Sequence, residues 1–371
     1  MSEPLSRGRL TSALVWSRLQ ALARPLSAVA LGLVVAGLLV LLTGKDPAAA
    51  AVALVKGSVG SPSAIAGTLS LATPLLFSAL AFAVAFRGSM FNAGVDGQLL
   101  IGAFVSAVVG FSFHLPAIIH VPLMLAAGAL GGAFWAFLPA IWRVTLGANE
   151  VVTTLMMNFI AAALTDYFVL YPFRAAGQSG SAIKTAPIAA SAELPRIWEP
   201  YSVTVALPIA IICCGLVWFG LRRLVVGYEV RMVGTSPGFA RASGIDPARR
   251  QVAVMLLSGG LAGLAGAAQV GGVFHAFVSP FAANLGFNGV LVSLLVGNSP
   301  VGIPIGAGFV AALQSGAIGM ELTTTISRYI VGALTAIIII FVAARRIPWL
   351  DALRARRRAV RAAASEAEWR S

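Results

Sequence analysis

Acidic residues are scarce in this chain: Asp and Glu number 13 among 371 residues, and all charged residues together make up only 11%. A soluble domain carries roughly 25% charged residues, so water is excluded as the main solvent. Cysteine is rarer still. Cys213 and Cys214 are neighbours inside an apolar run, which excludes a disulfide framework and leaves them as small packing residues. The three histidines, His114, His120 and His275, show no metal-ligand spacing with one another or with the cysteines. No G-x-x-x-x-G-K-[ST] loop is present, since Gly44-Lys45 lacks the upstream glycine and is followed by Asp46. ATP is therefore not bound here by that route. The absence of a serine elbow and of an H-E-x-x-H helix argues against an enzyme.

What the chain has is grease. Hydrophobic residues make up 58% of it and the mean hydropathy is +0.90. Long uncharged runs fall near 26–43, 64–86, 96–113, 117–142, 150–170, 203–221, 251–274, 286–298, 301–320 and 329–344. A bilayer span takes about 20 apolar residues, and lipid tolerates only a backbone that satisfies its own hydrogen bonds. The expectation is an all-α integral membrane protein of about ten transmembrane helices, with Pro74, Pro122 and Pro139 as kinks or stops. The first run follows Arg18 and Arg24 and precedes Ala48-Ala49-Ala50, a pattern also seen at cleaved signal peptides. Its apolar core is longer than such a peptide's, which favours an uncleaved helix.

The net charge of +13 would suit nucleic acid, but the basic residues punctuate apolar runs and form no basic face. They fit a topology with both termini in the cytoplasm, which places twenty of the 26 Lys and Arg on that side. Residues 1–25 are then a cytoplasmic segment, 26–344 the membrane domain and 345–371 a basic cytoplasmic tail. Within the membrane domain, 171–201 reads as a folded external loop with Pro172, Pro187, Pro195 and Pro200. The stretch 222–250 reads as a basic cytoplasmic loop holding a short helix from Pro237 to Ser243, stopped by Gly244.

One pattern occurs twice. Asn92-Ala93-Gly94-Val95-Asp96-Gly97 and Asn284-Leu285-Gly286-Phe287-Asn288-Gly289 share N-x-G-apolar-[D/N]-G, and each precedes an apolar run. Glycine permits positive φ and close backbone approach, and Asp or Asn can cap the helix that follows, so each copy predicts a break opening a short or half helix. The first opens a span running outward and the second a span running inward, as in an inverted repeat. Paired broken spans of this kind point to a solute pathway. Membrane-edge turns with capping residues would leave the same trace.

Other polar residues in or beside spans are Gln98, Asn149, Glu150, Asn158, Asp166, Gln314 and Glu321. Asn158 lies deep in its span, whereas Glu150, Asp166 and Glu321 fit helix ends and interfaces as well as function. Gly259, Gly263, Ala267 and Gly271 form a small-residue seam that predicts close helix packing.

The residues 92–98, the stretch from Gly147 through Asn149-Glu150-Val151-Val152-Thr153-Thr154 to Asn158, the run Arg231 to Gly234 with Gly244-Ile245, and residues 286–289 together resemble the permeases of bacterial importers driven by ATP-binding-cassette subunits. The resemblance covers about residues 64–344 and is nearest the simple-sugar and nucleoside branch; branched-chain amino acids are the alternative cargo. It implies an inner-membrane permease that works beside a second permease, a cytoplasmic ATP-binding subunit and an extracytoplasmic solute-binding lipoprotein. It places the chain in contact with membrane lipid and not nucleic acid, with no cofactor of its own and ATP and Mg held by the partner. By the same resemblance, Gly234, Pro237, Arg241 and Gly244 belong to a coupling helix that docks on the ATPase. Phe91, Asn92, Asp96, Gln98, Asn158, Asn284, Phe287 and Asn288 are the expected solute pathway for a neutral, hydroxyl-rich solute. The family commonly carries Glu where Asp96 stands and Asp where Asn288 stands. A stand-alone secondary carrier would also fit paired broken spans.

Overall fold

The computed structural model describes residues 44–175, 183–281 and 284–324, together with 34, 35, 37, 38, 40–42, 329 and 332. The chain divides into two units, Met1–Ala51 with Thr325–Ser371, and Val52–Thr324. In the first, the described residues between 34 and 42 are helical. The expected first and last spans, the N-terminal segment and the basic tail fall almost wholly outside the described residues. All candidate site residues lie in the second unit.

Helices dominate the described residues: α1 (Pro47–Val59), α2 (Pro62–Arg87), α3 (Val95–Ser112), α4 (Ala117–Leu146), α5 (Glu150–Leu170), α6 (Ala206–Arg223), α7 (Val225–Thr235), α8 (Pro237–Ala242), α9 (Pro247–Gln269), α10 (Leu285–Leu295) and α11 (Ile303–Thr323). Seven of these, α2 to α6, α9 and α11, are long and apolar enough to cross a membrane. Helix α9 gains length from a π-helical turn, Val270–Phe274, that ends at His275 with φ 51°. The run expected at 286–298 is the 11-residue α10, which at 1.5 Å per residue reaches only about half the hydrocarbon thickness. Helix α1 was not expected, because Lys56 and its length of 13 residues hide it from a search for spans.

The centre of the second unit is α2. Ser61 caps it by accepting from Ala64 N, Pro62 sits where no N–H is needed, and every residue from Ala72 to Ala85 is buried. A helix buried all round belongs inside a bundle. The apolar stretch of α2 is 78% buried, against 17% for that of α6, whose Ile211, Ile212, Leu216 and Phe219 face outward. Those outward residues suit lipid or another apolar chain.

The small-residue seam packs as its spacing predicts. A Cβ on Gly259 would meet Gly132 O and Ala136, one on Gly263 would meet Gly128, and one on Gly102 would meet Gly263. Helices α3, α4 and α9 thus touch backbone to backbone, which the membrane rewards through dispersion, with no hydrophobic drive available between helices. Gly57 brings α1 equally close to Gly316 and Gly319 of α11.

The described part of the stretch 171–201 (171–175 and 183–201) is folded, and it adds short strands to a chain read as all-α. β1 (Ile183–Lys184) pairs antiparallel with β4 (Val278–Ser279), and β2 (Arg196–Trp198) pairs with β3 (Val203–Thr204). Buried His120 fastens this segment, its Nδ1 lying 2.9 Å from Ser191 Oγ. Ala189 N donates to Gly110 O at the end of α3, and Leu194 N to Gly271 O at the end of α9. At the opposite end, Arg87, Arg222, Arg231 and Ser299 line one cavity; this is the basic end of the bundle.

Candidate functional site

After α2 the chain turns back at 88–94 and enters α3. Asn92 is fully buried in this turn. Its Nδ2 donates to Gln98 Oε1 (2.8 Å) and to Ser258 Oγ (2.8 Å), and its Oδ1 accepts from Gln98 Nε2 (3.0 Å) and Gly94 N (3.0 Å). Ser258 passes its own hydrogen to Ala81 O at 2.7 Å. Every polar atom of the Asn92 amide is committed, so the turn is welded to α9 and α2 at a place where an unmet polar group would be costly.

Helix α5 supplies the other wall. Gly147, with φ 66°, ends α4 in the left-handed conformation, and Asn149 Oδ1 caps α5 by accepting from Val151 N. Thr154 Oγ1 accepts from Ala93 N (3.2 Å), Asn158 Oδ1 accepts from Gly97 N (2.8 Å), and Asn158 Nδ2 donates to Ala93 O (2.9 Å). Asn158 lies eight residues into α5, so α3 begins about 12 Å along α5 from its basic-end terminus. The first motif therefore starts a helix at depth.

The second motif meets the first through one carboxylate. Asp96 Oδ1 accepts from Gly286 N at 2.7 Å and Oδ2 from Phe287 N at 3.1 Å. Helix α10 then descends beside α2, with Gly289 against Ser78, until Asn298 O accepts from Arg87 Nη2 at 3.1 Å. Helices α3 and α10 thus run in opposite directions from N-termini that meet inside the bundle. Each N-terminus carries orphan N–H groups and the positive end of a helix dipole, and Asp96 serves both.

Two details differ from the sequence reading. Asp96 caps the helix of the other copy and not its own: Gly94 stands at the N-cap of α3 and Asn284 at that of α10, and neither N-cap has a side-chain capping bond. Nor do the motif glycines provide positive φ. That conformation falls to Asn284, with φ 66°, whereas the glycines provide contact. A Cβ on Gly286 would sit 2.5 Å from Asp96 N, and one on Gly97 would sit 2.8 Å from Asn158 Oδ1.

The junction thus gathers Asn92, Asp96, Gln98 and Asn158 around the N-termini of α3 and α10. Gln98 is buried with Asn92, Asp96 and Asn158 are partly buried, Asn288 is partly buried, and Asn284 and Phe287 are exposed. Phe91 stacks edge-to-face on Phe82, ring centroids 5.0 Å apart. Ser258, Thr154 and Ala81 O complete the network; Thr154 stood in the sequence only as part of the 149–154 stretch and Ser258 not at all, because contacts across 61 and 166 residues leave no local trace. Glu150 pairs with Arg143 at 3.2 Å across the α4–α5 turn, exposed Asp166 accepts from Ser279 Oγ at 2.5 Å, and Glu321 is exposed in the last turn of α11.

At the basic end, Ser236 Oγ caps α8 by accepting from Phe239 N, and Pro237 occupies the first helical position. Gly244, with φ 81°, ends it. Gly234, Pro237, Phe239, Arg241 and Gly244 are all exposed, while Ala240 is fully buried, so α8 is a short helix seated by one face with the other open. A Cβ on Gly234 would strike Arg87 O, which makes glycine the residue that lets α7 rest on the end of α2.

A polytopic bundle in which a span-length helix and a half-length helix meet head to head inside it has the build of a solute-translocating membrane protein. The match to known proteins is specific. Residues 64–343 fit the family described as branched-chain amino acid transport system, permease component, and the chain belongs to that family. It is 34% identical to the guanosine ABC transporter permease protein NupP of Bacillus subtilis, over 88% of this chain and 94% of that one. It is also 34% identical to the nucleoside ABC transporter permease protein NupB of Lactococcus lactis, over 87% and 91% respectively. The glucose ABC transporter permease protein TsgB13 of Haloferax volcanii is 29% identical over 85% of this chain and 86% of its own length. No solved structure matches.

Proposed function

We propose that this chain is the membrane-spanning subunit of an ATP-driven importer for a nucleoside or a simple sugar in a bacterial inner membrane. The observation that carries it is the head-to-head meeting of the N-termini of α3 and α10 at Asp96, inside the bundle. Similarity to permeases named for guanosine, nucleosides and glucose supports the solute class. The basic end is the cytoplasmic one under the positive-inside rule, which with two further spans near the termini gives ten helices, N-in and C-in. Partner permeases named alongside two of these relatives, NupQ and NupC, support a second permease subunit here. A cytoplasmic ATPase holding ATP and Mg and an extracytoplasmic binding lipoprotein complete the machine.

In this reading α8 is the coupling helix. Phe239 and Arg241 project where a partner can grip them, and closure of the ATPases moves α7 and α8 against Arg87 at the end of α2. Helix α2 carries that motion to Ser78 and Gly289, and so to the half-helix that Asp96 holds. Asn288, Phe287, Asn158 and Phe91 face the solute as α3 and α10 part; few charges there suit a neutral, hydroxyl-rich cargo.

The test is uptake of labelled guanosine, glucose and leucine by vesicles holding this chain with its co-expressed partner subunits. ATP-dependent accumulation of guanosine or glucose is the expected result. Accumulation of leucine alone would overturn the solute class, and uptake by this chain without an ATPase would overturn the importer. Phe239→Ala with Arg241→Glu should abolish co-purification of the ATPase; full retention would dismiss the docking role.

A further inference from the structure

The basic end holds a cavity of about 500 Å³ between α6, α7 and the turn after α10, with Arg87, Arg222, Arg231, Trp218 and Ser299 in its wall. Among the described residues none in its wall is a carboxylate. Among the described residues the acidic partners go elsewhere: Glu150 to Arg143, Glu229 to Arg250 and Glu193 to His275. Arg87 spends one nitrogen on Asn298 O at 3.1 Å and keeps a buried Nε with no partner among the described residues. Arg222 lies over the Trp218 ring, 5.4 Å from its centroid, and Arg231 Nε makes a long 3.4 Å bond to Gly227 O. Arg222 and Arg231 are exposed and Arg87 is half-buried; three permanent charges of one sign around one recess, with donors open to a ligand, suit an anion with several oxygens.

A second feature adjoins it. On the other side of α6 runs an apolar groove of about 310 Å³, walled by Val84, Leu216, Val217, Leu224 and Val230, and Leu221 lines both the groove and the basic cavity. From Leu216 to Leu224 the groove follows α6 for about 12 Å. Helix α6 is the least buried of the seven long helices, so this side of it meets whatever surrounds the chain. Trp218 stands between the apolar stretch and the arginines, where an indole suits a membrane boundary.

We infer that the cavity and groove together hold one anionic phospholipid, its phosphate among Arg87, Arg222 and Arg231 and an acyl chain along the groove past Leu221. A free phosphate would use the cavity and have no use for the groove. A partner's carboxylate would likewise leave the groove uncovered. The inference rests on the membrane reading of the chain and is independent of which solute it carries.

The test is native mass spectrometry of the co-expressed transporter complex in detergent, supplied with dioleoyl phosphatidylglycerol, dioleoyl phosphatidylcholine or inorganic phosphate. Retention of phosphatidylglycerol at least tenfold above phosphatidylcholine is expected, with Arg222→Gln/Arg231→Gln abolishing the preference. Arg249→Gln, which removes a charge from an exposed site at the start of α9, should leave it intact. Gly220→Leu, whose Cβ has only Leu224 Cδ1 near it at 3.8 Å, fills the groove without touching an arginine. It should lower retention of the dioleoyl lipid at least fivefold and leave dihexanoyl phosphatidylglycerol binding unchanged. Equal retention of the two headgroups, a preference that survives the double substitution, or phosphate binding with no gain from an acyl chain would each overturn the inference. So would loss of the ATPase from the double variant with lipid still bound. Should the double variant fail to stay monodisperse, Gly220→Leu decides alone: undiminished dioleoyl lipid retention overturns the proposal.

Discussion

The two copies of N-x-G-apolar-[D/N]-G start from one pattern and finish in opposite conditions. Around Asn92 every polar atom is spoken for by Gln98, Ser258 and Gly94, and the side chain is sealed from solvent. Around Asn284 the side chain is exposed, and the helix it precedes is capped only by a carboxylate borrowed from the first copy. The first copy is thus a fixed anchor, the second a half-helix held by backbone contact and by Asp96. An asymmetric pair of this kind allows one member to move while the other keeps the bundle together.

The largest effect should come from the contact that joins the copies. Gly286→Ala puts a methyl 2.5 Å from Asp96 N, and because backbone cannot yield as a side chain can, a loss of about 3 kcal/mol and of most uptake is expected. Thermal unfolding of the detergent-solubilised complex and vesicle uptake check it; wild-type behaviour in both would mean the two N-termini do not touch. Next comes Asn92→Ala, which strands Gln98, Ser258 and Gly94 N in a buried site and should cost about 2–3 kcal/mol. Its fall in unfolding temperature should exceed that of Asn288→Ala, and the reverse order would invert the anchor and the mobile member.

Asp96→Asn sharpens the comparison further. The amide keeps one acceptor but loses the charge that faces two helix ends, so a loss of about 1–2 kcal/mol is expected. Uptake should fall more than stability does, because only the hold on α10 is weakened. Equal losses in both readouts would make Asp96 a plain structural cap. The smallest effect is expected at Asn284→Gly: with φ at 66°, glycine fits without strain and stability should shift by no more than about 0.5 kcal/mol. A larger drop in the same unfolding assay would show that the Asn284 side chain has a role that its exposure conceals.

Much of the bundle was legible beforehand. The expected runs at 64–86, 96–113, 117–142, 150–170, 203–221, 251–274 and 301–320 are the seven long helices, because apolar length is a local property that lipid enforces. The short helix in the 222–250 loop appeared with its Pro start and Gly stop, and the Gly259-Gly263-Ala267 seam found its partners. Local signals had limits. Helix α1 and the strands β1 to β4 escaped, the first because 13 residues do not make a span, the others because two or three residues of strand leave no periodic trace. The pattern in the sequence likewise marked Asp96 as a cap, but for the helix that follows it and not for α10, which it holds.

By itself, then, the sequence determined the solvent, the seven long helices, the repeated motif and the family. Each of these follows from composition, from apolar run length or from residue order along a few turns. Only the tertiary structure decided that Asp96 bridges two helices 190 residues apart, that Asn92 is an internal anchor, and that three arginines from different elements share one recess. Such facts depend on which helix lies beside which, and that is settled by glycine contacts and buried hydrogen bonds between distant segments.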